Sequence, residues 1–175
     1  MKKIGLFYGS DEGNTANVAE LIALHLSEEL VDIIDLAHAS AEDFSQYDRI
    51  ILGAPTWFFG QMQSDWEDFW EEFQAIDFNG KTVALFGLGD QVTYADFFLD
   101  AMGIIYQAVT AAQGHVIGYW PDHDYDFQSS KALLADEGHF VGLAIDEHNQ
   151  EDLTQERIAL WSQQLSEEFN LEHCT

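Results

Sequence analysis

The sequence predicts one α/β domain over residues 1–175: an open, doubly wound parallel sheet of five strands, helices on both faces, its last strand interrupted by an insertion. Three observations lead there. Short runs that are apolar or β-branched throughout recur down the chain, as strands buried on both faces require. Segments with apolar residues at helical spacing separate them. Glycine-rich or aromatic turns follow three of the runs, at the strand ends where such sheets hold their ligands.

The first run, Ile4–Tyr8, leads into the turn GSDEGNT. Asn14–Leu30 then places Val18, Leu21, Ile22 and Leu26 on one helical face. Val31–Leu36 reads as the second strand and Ile50–Ala54 as the third. The turn TWFFG follows, then a helix over Asp65–Ile76 whose Trp66, Phe69, Trp70 and Phe73 recur at helical spacing and read as core. Val83–Gly87 is the fourth strand, with the turn GLGDQVTY and a helix over Ala95–Ala112 behind it. Val116–Trp120 opens the fifth strand. About twenty residues, from PDHDYDF to DEGHF, separate it from FVGLAI, and the two pieces read as halves of one edge strand. A loop of that length in a compact domain is functional or structured in its own right. Leu153–Phe169 completes the helices.

Charge narrows the function. Thirty-two acids face six bases, for a net charge of -26. That balance argues against nucleic acid and against an anionic membrane surface, both of which attract Lys and Arg. It favours steered encounters with basic partners. MKK is followed by too short an apolar run for a signal peptide, and no run is long enough to span a bilayer, so a cytoplasmic location is expected. A lone cysteine, Cys174, makes no internal disulfide, iron–sulfur cluster or zinc site. The seven histidines show no paired ligand spacing, so no metal is expected. No serine has a hydrolase context, and no catalytic residue is expected.

The three turns set the chemistry. GSDEGNT can hold a phosphate by backbone N–H groups and a helix N-terminus, without a cation. Gly9 and Gly13 allow the tight path, and Ser10, Asn14 and Thr15 add side-chain donors. It is neither a Walker A loop nor G-x-G-x-x-G, so holding suits it better than phosphoryl transfer; taken alone, a plain helix cap explains it as well. TWFFG puts three aromatics on a turn, and the third turn ends in Tyr94 with Phe97 and Phe98 behind. Trp57 and Tyr94 read as rings that clamp a flat aromatic ligand, Phe98 as core.

IGLFYGSDEGNTA, ILGAPTWFFGQ, DFNGKTVALFGLGDQVTYAD, YDFQSSKAL and FVGLAIDE stand in this order along almost the whole chain, and they resemble the long-chain flavodoxins. The resemblance implies the strand order 2-1-3-4-5, for which flavodoxin is itself the type example, with FMN at the switch point. It implies that Ser10, Asp11, Glu12, Gly13, Asn14 and Thr15 hold the FMN phosphate, helped by Thr56. Trp57 covers one face of the isoalloxazine and Tyr94 the other. Backbone groups of Phe58, Phe59, Gly89, Asp90 and Phe97 reach the ring's polar edge, Asp146 lies near the ribityl chain, and Pro55, Gly60 and Leu88 complete the set. Two positions depart from the family pattern. Glu12 stands where Thr or Ser is common, so its N–H is expected to serve while its carboxylate turns outward. Asp122 and Asp124 replace a Thr and a Gly in the insertion.

What the resemblance implies about function is a monomeric, low-potential one-electron carrier with non-covalent FMN and no substrate of its own. It would shuttle electrons between a basic-faced, NADPH-dependent flavodoxin reductase and acceptor oxidoreductases. A peptide flip at Phe58–Phe59 or Phe59–Gly60 would present a carbonyl to the ring, and a bulky residue reaches positive φ less readily than glycine. The alternative is an FMN-dependent NAD(P)H quinone or azo reductase on the same fold, for which rings on both flavin faces leave little room. A phosphoacceptor receiver domain fits the glycines and aromatic turns poorly.

Overall fold

The computed structural model describes residues 3–135 and 138–171; Cys174 lies outside them. Its strands are β1 (Ile4–Tyr8), β2 (Val31–Asp35), β3 (Arg49–Trp57), β4 (Gln61–Met62), β5 (Thr82–Leu88), β6 (His115–Ile117), β7 (Trp120–Pro121), β8 (His139–Phe140) and β9 (Leu143–Ile145). Its α-helices are α1 (Asn14–Leu26), α2 (Ala41–Ser45), α3 (Ser64–Gln74), α4 (Asp100–Ala111) and α5 (Thr154–Glu168). The sheet runs β2-β1-β3-β5-β6 with parallel pairing throughout that path. Leaving aside the two-residue β4, which turns back antiparallel on β3, this is the expected order 2-1-3-4-5.

Both faces of the sheet are covered, which is why the inner strands β1, β3 and β5 are apolar in both directions, while the edge strand β2 carries Asp32 and Asp35. On one face Ile50, Leu52, Val83 and Leu85 pack with Trp66, Phe69 and Phe73 of α3 and Met102, Ile105 and Val109 of α4. On the other, Ile51, Ala84, Phe86 and Leu143 pack with Val18 and Ile22 of α1 and Ile158, Trp161 and Leu165 of α5. Trp66, Phe69 and Phe73 are therefore core, as is Phe98, while Trp70 is half-buried and packs against the edge of that cluster.

The last strand is in two halves. β6 pairs with Thr82–Ala84 of β5, and β9 pairs in the same direction with Phe86–Leu88. The break starts at Gly118, where the backbone turns to φ 78, a region that favours glycine. The excursion between the halves is closed by the antiparallel pair β7–β8. It is packed, not loose: the Tyr125 and Phe127 rings lie against Phe98 and Phe140.

Several elements differ from the sequence pattern: β3 runs on to Trp57, and β6 stops at Ile117 where Trp120 was expected. α1 stops at Leu26 because Ser27 adopts φ 125 and the chain turns through Leu30. α4 starts at Asp100, not at Ala95, because Leu99 sits at φ 60 and the preceding residues form turns held by the excursion. α2 has no expected counterpart. Its capping box, Ser40 with Asp43, starts a helix too short for apolar periodicity to register.

Candidate functional site

The carboxyl ends of β1, β3 and β5 open onto one cleft of about 250 Å³. Ser10, Asp11, Glu12, Asn14, Thr15, Pro55, Thr56, Trp57, Phe58, Leu88, Gly89, Asp90 and Tyr94 line it together. Parallel pairing of the three strands brings their following turns to the same edge.

The first turn ends on Gly13 at φ 91, immediately before α1. Any side chain at that left-handed step would be strained, and the step opens the helix whose unpaired first N–H groups are the kind that hold an anion. Ser10 Oγ accepts the Gly13 N–H at 3.1 Å, so the hydroxyl proton remains to be donated. Thr56 Oγ1 likewise accepts the Ala101 N–H at 3.0 Å and keeps its proton. The two acids of the loop are disposed differently. The Asp11 carboxylate is tied back to the start of α3, accepting from Gln63 Nε2 at 2.9 Å and Ser64 Oγ at 3.1 Å. Glu12 is exposed.

The second turn is a three-residue loop between β3 and β4, with Trp57 paired to Gln61. Phe58 takes φ 44 and Gly60 φ 86. Phe58 and Phe59 are exposed, and both set their rings edge-on to Tyr94, at 6.0 and 6.2 Å between centroids. Trp57 is half-buried, and its indole Nε1 is buried without a hydrogen-bond partner in the protein. A buried donor left unpaired costs free energy of the order of ~1–3 kcal/mol, so a donor of this kind beside a phosphate-type loop fits an anionic ligand that accepts from it.

The third turn is held from two sides. The Asp90 carboxylate accepts the Val92 and Thr93 N–H groups and Asn149 Nδ2. Burial pushes its pKa up, but these hydrogen bonds outweigh it and hold Asp90 below the usual carboxylate range. From the other side the excursion props the turn: Gln128 and Ser129 donate their N–H groups to the Ala95 carbonyl, Ser129 Oγ donates to the Asp96 carbonyl, and the backbone N–H of Asp126 donates to Gln91 Oε1.

Five expected residues lie outside the lining: Gly13, Phe59, Gly60, Phe97 and Asp146. Phe59 and Phe97 set their rings edge-on to each other, 5.7 Å between centroids. Asp146 is fully buried; its carboxylate accepts from the backbone N–H groups of Gln91, His148 and Asn149 and from the side-chain amides of Gln91 and Asn149. It holds the third turn against the end of β9. Two lining residues escaped the sequence reading, Glu147 and His148. The signal for them was their place directly after the last strand at the same sheet edge. Gln63, wholly buried behind the first turn, carried no signal at all.

The arrangement is chemically one-sided. N–H groups, two hydroxyls and an unpaired indole N–H suit a phosphate ester, and aromatic faces from separate turns suit a flat ring attached to it. The flavodoxin family model matches residues 6–161. Flavodoxin from Klebsiella pneumoniae is 48% identical over 98% of this chain and 97% of its own length. Flavodoxin from Synechocystis is 51% identical over 92% of this chain and 94% of its own. Among solved structures, the Fusobacterium nucleatum flavodoxin bound to flavin mononucleotide superposes with a TM-score of 0.89, at 28% identity, covering 96% of this chain and 99% of that one.

Proposed function

The chain belongs to the flavodoxin family, and on that premise we propose that it binds one FMN non-covalently in this cleft and carries single electrons at low potential. FMN, when bound, supplies the redox chemistry, accepting and releasing electrons one at a time. The chain supplies binding, orientation and electrostatics. Backbone N–H groups of the 10–15 turn, with Ser10, Thr56 and the Trp57 indole, hold the phosphate. Trp57 and Tyr94 flank the ring and exclude water from it. The observation that carries this reading is the meeting of the anion-type loop and both rings in one cleft.

The surface sets the partners. Asp90, Glu147 and Glu12 rim the cleft in a chain of net charge -26, which suits basic-faced redox proteins, a NADPH-dependent flavodoxin reductase on one side and acceptor oxidoreductases on the other. The chain acts as a cytoplasmic monomer and turns over no substrate of its own. A cleft flanked by rings at both turns supports this over hydride transfer from a nicotinamide, which needs an open flavin face.

The experiment is an absorption spectrum followed through stepwise reduction of the FMN-loaded protein. Two separate one-electron steps, the second at low potential, are expected. A single two-electron step, or NADPH oxidation by the protein alone, would overturn the carrier reading in favour of a quinone or azo reductase.

A further inference from the structure

Resting on the FMN reading, we propose that Gln63 is a positioning residue for the phosphate: it draws the Asp11 carboxylate of the first turn toward α3 and away from the anion. Asp11 lines the cleft and belongs to the turn that would hold the phosphate, so its charge works against its own loop. Among the described residues no lysine or arginine forms an ion pair with it. Two neutral donors at the start of α3 take the carboxylate instead, Gln63 Nε2 at 2.9 Å and Ser64 Oγ at 3.1 Å.

Gln63 is fixed on every side. It follows β4 directly, whose Gln61 and Met62 pair with Trp57 and Thr56, so the second turn sets its backbone. Its side chain is wholly buried. Its Oε1 accepts the Trp66 N–H at 3.3 Å, and its Nε2 serves two carboxylates, Asp11 and, at 2.7 Å, Asp65. The reverse amide orientation would turn its oxygen onto both acids, so the surroundings admit one assignment. Gly9, at the start of the first turn, lies against the same amide: a Cβ there would overlap Gln63 Oε1. One buried side chain thus meets the phosphate turn at Gly9 and at Asp11, and joins it to the strand pair that carries Thr56 and Trp57. With the amide gone, the exposed Ser64 hydroxyl is the restraint left on Asp11. The carboxylate can then turn back toward the cleft, where it and a phosphate dianion repel each other.

The test is a double-mutant cycle on the FMN dissociation constant, read by flavin fluorescence quenching in dilute buffer, for the wild type, Gln63→Met, Asp11→Asn and the two together. Gln63→Met keeps the length of the side chain and removes its donors. Asp11→Asn removes the charge and keeps an oxygen that can accept. Gln63→Met should weaken FMN by roughly two- to fivefold beside the native Asp11, the range of an exposed charge interaction, and by clearly less beside Asp11→Asn. This coupling should shrink in about 0.5 M sodium chloride, which screens it. Riboflavin, which lacks the phosphate, should show none. Ser64→Ala, on the exposed side, should repeat the pattern more weakly, and it carries the test if Gln63→Met does not fold. A loss that is equal in both Asp11 backgrounds is what a gap packed badly behind the turn would give. That result, or equal coupling with riboflavin, overturns the proposal and leaves the FMN reading standing. Failure of the wild type to bind FMN overturns both.

Discussion

The Asp146 carboxylate receives Gln91 twice on one oxygen, from the backbone N–H at 3.0 Å and from the side-chain amide at 2.8 Å. All of this is buried. The pair joins the turn after β5 to the turn after β9, and so fixes Asp90 and Tyr94 by a bond made away from the cleft. Asp146→Ala would leave several buried donors without an acceptor. We expect a loss of about 2–4 kcal/mol in urea unfolding of the apoprotein. A variant as stable as the wild type would remove Asp146 from this role.

Asp100 should make stability depend on pH in the opposite sense to a surface acid. Burial lifts its carboxyl above the ordinary 3.8, against the pull of the Lys131 N–H and charge. The folded state then holds this proton more tightly than the unfolded one, so its contribution falls as pH rises from 3.8 through the raised value. Asp100→Asn keeps an acceptor for the Lys131 N–H, 2.8 Å away, and has no charge to bury. Its stability should gain on the wild type across that window and match it most nearly at the acid end. A constant gap between the two unfolding curves at every pH is the contrary result.

Phe58 carries backbone strain on a rim turn, at φ 44. Phe58→Gly and Phe58→Ala both lose the ring and differ mainly in the cost of that conformation. Glycine should be the more stable by about 1 kcal/mol, the reverse of its usual standing against alanine. Thermal denaturation of the two variants decides it.

Trp57 offers a ring and an unpaired indole N–H. Trp57→Phe keeps the first and removes the second. FMN binding should weaken roughly tenfold or more, the cost of a lost hydrogen bond to a charged group, with riboflavin binding much less affected. Equal losses for the two ligands would mean that the indole N–H serves neither.

Salt should stabilise this chain. Even with all six bases paired, 26 of its 32 acids remain uncompensated, and their mutual repulsion opposes the compact state. Sodium chloride at about 0.5 M, which shortens the screening length to a few ångströms, should raise the urea midpoint above its value in dilute buffer. Unchanged midpoints would show that the acids lie too far apart to interact.

Much of this was legible in the sequence because apolar runs and turns are local signals. Ile4–Tyr8 and Ile50–Ala54 reach the core by their continuous hydrophobicity, and GSDEGNT, TWFFG and GLGDQVTY meet because parallel strands end together. What escaped depends on contacts between distant segments. The turns before Asp100 look helical from Ala95 onward, but Leu99 sits at φ 60 and the Ala95 carbonyl is taken by the Gln128 and Ser129 N–H groups. Nothing in the sequence around Asp146 announces the five donors that fold around its carboxylate. His148 and Glu147 enter the cleft by the register of β9 alone, with no motif to announce them.

The broken strand separates two requirements that share one stretch of chain. β6 ends opposite Ala84 and β9 begins opposite Phe86, so Leu85 alone spans the gap between the halves. A splice of one residue between Ile117 and Leu143 would restore an uninterrupted edge and leave the sheet's register untouched. It would also remove every prop that the excursion sets under the turn bearing Asp90 and Tyr94. The sheet-edge role of this strand is thus separable from its scaffolding role: without the excursion the third turn would keep its bonds to Asp146 and Asn149 and lose those from Asp126, Gln128 and Ser129.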